Sequence, residues 1–153
     1  MFRISRISFG STAAIVTGMA LITGLGAGGA AKPVIISALL IAALADNLTD
    51  SLSIHIYQES EHLEKHEAFV GTLWNFASRL VGGLSFALIV AVLPLRAAVF
   101  VAIAWGLFLL TVLTYLLARE RGASVRSEVA KHLVVACSVI ALSKFIAYAI
   151  AVG

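Results

Sequence analysis

One cysteine, two prolines and a charged fraction of only 12% define this 153-residue chain by what it lacks. The lone thiol, Cys137, excludes an internal disulfide framework, and its apolar surroundings predict a buried small hydrophobe. With proline confined to Pro33 and Pro94, little interrupts long helices. No HExxH, Walker loop, GxSxG, CxxC or dinucleotide fingerprint occurs, and serine, histidine and aspartate fall into no nucleophilic arrangement. These absences argue against an enzyme and against a resident cofactor. Asp46 and Asp50 share the Asp-x-x-x-Asp spacing of membrane phosphotransferases, but the upstream acidic and Gly-Ala-Arg elements of those enzymes are missing.

What the chain does contain is apolar surface. Hydrophobic residues make up 61% of it and the mean hydropathy is +1.03, more than a soluble domain of this length can bury. A spanning helix takes about 20 apolar residues to cross a hydrocarbon core of about 30 Å. Five such segments, at about 9–27, 33–57, 69–95, 97–117 and 133–152, use up the chain as a single all-α transmembrane domain with the bilayer as its solvent. The first follows Arg3 and Arg6 and resembles a signal peptide in outline, although its apolar stretch exceeds the usual length of one.

The formal charge of +3 does not predict a nucleic-acid partner, because the basic residues flank the spans instead of gathering on one soluble face. Arg79 and Lys144 fall inside spans. Of the other cations, Arg3, Arg6, Lys65, Arg119, Arg121, Arg126 and Lys131 lie on one side and only Lys32 and Arg96 on the other. The positive-inside rule then sets the N-terminus in the cytoplasm and the C-terminus outside.

The second span carries the chemistry. Asp46 and Asp50 interrupt an apolar run where charge is unfavourable by a few kcal/mol and marks a functional candidate. On a helix, Asp46, Asp50, Ser53, Tyr57, Ser60, Glu61 and Glu64 share one face. Thr49 borders that stripe, while His55, Glu59, His62 and His66 follow one another on the opposite face. With neither glycine nor proline between Gln58 and Glu67, the second helix is expected to extend into the cytoplasm. Carboxylate and imidazole together suit Fe, Mn, Zn, Co or Ni, which makes Asp46, Asp50, His55, Glu59, Glu61, His62, Glu64 and His66 the candidate ligands. Asp46 and Asp50 could equally neutralise Arg79 and Lys144 within the bundle. His132, near the start of the fifth span, is expected to be an interfacial residue.

Ala43 to Glu61, read together with the five-span plan, resembles the vacuolar iron transporter family, whose second span typically has Gly-Leu-Ala-Asp/Glu and then Ser-Met-Ala-x-Gly-x-Tyr. Asp46 matches the acidic position, Thr49 the serine and Ser60 a polar site near the helix end. Ser11-Thr12-Ala13-Ala14 with Gly18 is similar to the family's first span, and Ala91 to Leu95 to the end of its third. Three departures accompany these matches. Ile7 and Ser8 stand near the family's first-span Asp-Gly, Asp50 replaces its second-span methionine, and its cytoplasmic insertion shrinks to about ten residues rich in Glu and His. The resemblance implies a homodimer that exports Fe2+ or Mn2+ in exchange for protons, along Asp46, Thr49, Asp50, Ser53 and Tyr57, and the compact chain without eukaryotic targeting suggests a bacterial inner membrane. The competing expectation is a non-transporting membrane protein, either a scaffold or a partner-docking surface, held by an Asp/Arg/Lys network.

Overall fold

The computed structural model describes residues 5–60 and 65–152. They form α1 (Ser5–Ala27), α2 (Lys32–Ile41), a π-helical turn (Ala42–Asp46), α3 (Asn47–Ser60), α4 (Lys65–Val92), α5 (Leu95–Arg121) and α6 (Val125–Val152). There is no strand among the described residues. Because α2, the π turn and α3 run on as one rod, the helices supply five segments long and apolar enough to cross a membrane: Ile7–Ala27, Lys32–Gln58, His66–Val92, Leu95–Arg121 and Val125–Ala151.

Short punctuation separates the rods. Pro33 occupies the first turn of α2, where its missing N–H removes no helical bond, and Pro94 caps α5. The α5 to α6 reversal needs a left-handed residue, which Gly122 supplies at φ 66°. The Ala123 N–H then returns to the Ala118 carbonyl at 2.9 Å.

The central helix is α1, which packs against α4, α5 and α6, while α2 and α3 lie along α4. In a bilayer, helices gain little from excluding apolar surface and depend on close packing, so small residues mark the crossings. On α5 the buried row Ala98, Ala102, Gly106 and Leu110 repeats every four residues. On α4 the adjacent Gly82 and Gly83 face two different helices. A Cβ on Gly82 would stand 2.8 Å from Cβ of Ala14 in α1, and one on Gly83 would stand 2.7 Å from Cβ of Ala43 in the π turn. The core fills around them with Ile15, Met19, Ile22, Ile35, Leu39, Phe86 and Val90.

The outer surface is as apolar as the core. Phe100, Val92 and Ile150 are all at least 70% exposed, which suits contact with lipid chains. Helix α6 presents most of its length outward, and this overturns the expected burial of Cys137, which lies on its exposed face. An apolar run in a bilayer protein is compatible with either face of a helix.

Two boundaries also differ from expectation. The polar tail does not prolong the second helix through Glu67, because α3 is described to Ser60 and α4 opens at Lys65. The contacts Asn47–Phe76, His55–Thr72 and Gln58–Thr72 run in opposite directions along α3 and α4, so the chain has reversed between them. Antiparallel packing of α3 on α4 requires the chain to turn between them, whatever the helix propensity of the Glu-rich run. The last helix starts at Val125, earlier than the expected span start at 133, so Arg126, Glu128, Lys131 and His132 sit in its first turns.

Candidate functional site

The interrupted second span brings the polar residues together. A π turn widens the helix by one residue, and such turns recur at functional positions. Its last residue is Asp46, and the next, Asn47, is fully buried. Asn47 Nδ2 donates to the Ala43 carbonyl at 3.2 Å and across to the Phe76 carbonyl of α4 at 2.9 Å. The Ser51 hydroxyl donates to Asn47 Oδ1 at 3.4 Å. Sequence reasoning passed over Asn47, whose only signal was an amide directly after Asp46 in an apolar span.

Arg79 lies one turn after the buried Asn75 on α4 and is itself buried. Its guanidinium forms an ion pair with Asp50 of α3. Asp46 stands within electrostatic reach of the same cation but is exposed on the outside of α3, without an ion-pair partner among the described residues. The pairing expected for at least one of the two aspartates is therefore present. Lys144 does not share in it, being exposed on α6.

Asp46 heads a row with Thr49, Ser53 and Tyr57, and all four are uncovered by the rest of the chain. Steps of three, four and four keep them on one face of α3. The hydroxyls are already oriented: Thr49 donates to the Ala45 carbonyl at 3.1 Å and Ser53 to the Thr49 carbonyl at 3.0 Å. With their protons committed to the helix, both oxygens turn lone pairs outward. The row therefore offers a carboxylate and hydroxyl acceptors, a surface suited to a cation. Inside the protomer there is little room beside Arg79, where the space lined by Thr17, Leu39, Ala42 and Gly83 amounts to about 10 Å³. That is room for about one water.

The opposite face of α3 turns toward α4. The Thr72 hydroxyl donates to the Ala68 carbonyl at 2.9 Å and lies 3.4 Å from both His55 Nδ1 and Gln58 Oε1. His66 is exposed in the first turn of α4, so it does not continue the stripe that begins at His55. Glu61, His62 and Glu64 lie outside the described residues, as does the side chain of Glu59. Among the described residues, no three His, Cys, Asp or Glu side chains come together to hold a metal ion.

No protein-family model, curated protein or solved structure matches this chain.

Proposed function

We propose that this protein is an integral-membrane carrier for a divalent transition metal, Fe2+ or Mn2+, of the vacuolar iron transporter type. It works as a homodimer in a bacterial inner membrane and exchanges metal for protons. The row Asp46, Thr49, Ser53 and Tyr57 carries the reading, because four polar side chains on a segment apolar enough to cross a membrane are left uncovered by their own chain. Lipid cannot satisfy a carboxylate there. A second copy of α3 across a shared, wetted seam can, and the close packing around Arg79 directs the route to that seam. Asp46 is the mid-membrane ligand, the Thr49 and Ser53 oxygens supplement it, and Asp50 is held in reserve by Arg79. The Glu- and His-rich segment between α3 and α4 collects metal at the cytoplasmic mouth.

The Asp50–Arg79 ion pair favours a second reading, in which the charges form a structural network on a scaffold or docking protein. Metal uptake into proteoliposomes separates the two. Asp46→Asn keeps the shape but removes the charge, and it should abolish Fe2+ and Mn2+ flux while helicity and elution volume stay unchanged. Replacing His62 and His66 together should weaken apparent affinity several-fold with maximal flux intact, since water can complete a shell at the membrane edge. Normal flux in Asp46→Asn would reject the carrier and leave the network reading.

A further inference from the structure

A second polar feature lies away from α3, where the start of α1, the end of α5 and the start of α6 meet. The cleft between them has a volume of about 540 Å³, and a smaller hollow of about 250 Å³ shares Thr12 and His132 with it. The lining is mixed, with Phe9, Ala13 and Leu117 beside the polar residues of the cleft and Lys131 on the smaller hollow. Arg121 and Glu128 stand at the rim, Thr12, Thr114 and His132 below them, and Val16, Leu110 and Val135 deeper still. At 1.5 Å of rise per residue, Arg121 to Leu110 covers about 16 Å of α5.

Among the described residues, the charges in the cleft leave one cation over. Lys131 Nζ holds Glu128 Oε1 at 2.9 Å, which cancels that pair. Glu128 also feels Arg121, yet no carboxylate among the described residues comes within ion-pair distance of the Arg121 guanidinium. His132 Nδ1 lies 2.8 Å from the Glu128 carbonyl, and since a carbonyl only accepts, Nδ1 carries the proton and Nε2 is left for another partner.

We infer that this cleft binds an anionic glycerophospholipid. The phosphodiester sits against Arg121, the Thr12 and Thr114 hydroxyls meet the glycerol ester carbonyls, and an acyl chain follows Val16, Leu110 and Val135. The phosphodiester charge complements the guanidinium left over among the described residues. The cleft also opens at the end of the bundle that carries most of the flanking cations, where pockets between spanning helices take acidic headgroups.

Native mass spectrometry of the full chain in mild detergent tests the inference, with phosphatidylglycerol, phosphatidylcholine of the same acyl chains, and glycerol 3-phosphate as probes. One phosphatidylglycerol per protomer should be retained at about tenfold lower concentration than phosphatidylcholine, the factor expected from one charge-assisted contact. Arg121→Gln should remove that preference, whereas Arg119→Gln, outside the cleft on the same helix end, should keep it. Val135→Trp adds bulk at a position 58% exposed, where folding tolerates it, and should block retention of both lipids. Equal retention of the two lipids by the wild type, a preference that survives Arg121→Gln or Val135→Trp, or one lost with Arg119→Gln would overturn the site. Glycerol 3-phosphate bound as tightly as the lipid would make it a soluble-phosphate site and overturn the lipid.

Discussion

Removing the carboxylate that Arg79 holds gives a sharp test of how the two aspartates share one cation. Taking away one partner of a buried ion pair destabilises by about 3–5 kcal/mol, because the remaining charge is left uncompensated. Two observations reduce that figure for Asp50→Asn. The Asp50 side chain is 36% accessible, so the pair is only partly enclosed, although the Arg79 side chain is 6% accessible. Asp46 also stands within reach of the guanidinium and can take over as its counter-ion. The expected loss for Asp50→Asn is therefore about 2 kcal/mol, and for Asp46→Asn, which removes only the more distant charge, under about 1 kcal/mol. Replacing both strands a buried guanidinium and should restore the full penalty, about 4 kcal/mol. The coupling, about 1–2 kcal/mol beyond the sum of the singles, is what neighbouring members of one network show. Equilibrium unfolding in mixed micelles, followed by far-ultraviolet circular dichroism, measures all three variants against the wild type. Additive losses would mean that Asp46 does not respond to Arg79, and a shared counter-ion would then be wrong.

Asn47→Ala should destabilise by about 1–3 kcal/mol in the same assay, since it leaves the Phe76 carbonyl of α4 without its side-chain donor and opens a small void beside the π turn. Gly83→Val forces side-chain atoms against Ala43, and overpacking of this kind should lower stability by about 1–3 kcal/mol; Gly83→Val as stable as wild type would show that α4 can move away from the π turn. Reporter fusions at Lys65 and after Gly153 should label on opposite sides of the membrane, and labelling on one side would refute the five-span orientation.

The sequence by itself determined that the chain carries five segments long and apolar enough to cross a membrane. Hydrophobic runs of about 20 residues suit a bilayer, and Pro33 and Pro94 mark breaks between helices through backbone chemistry alone. It also marked Asp46, Asp50, Arg79 and Lys144 as the charges that matter, because any ionisable group in such a run is unfavourable wherever it points. Direction was decided only by tertiary structure. A heptad-like polar stripe places Asp46 and Asp50 on one side of a helix, but the antiparallel packing of α3 on α4 turned Asp50 toward Arg79 and left Asp46, Thr49, Ser53 and Tyr57 outside. The same packing put His55 on α3 and His66 on α4. Cys137 and Lys144 could not be placed from the sequence for a related reason. In water an apolar helix face must turn inward, but in lipid it need not, so periodicity no longer tells inside from outside and contacts between small residues such as Gly83 and Ala43 decide the packing.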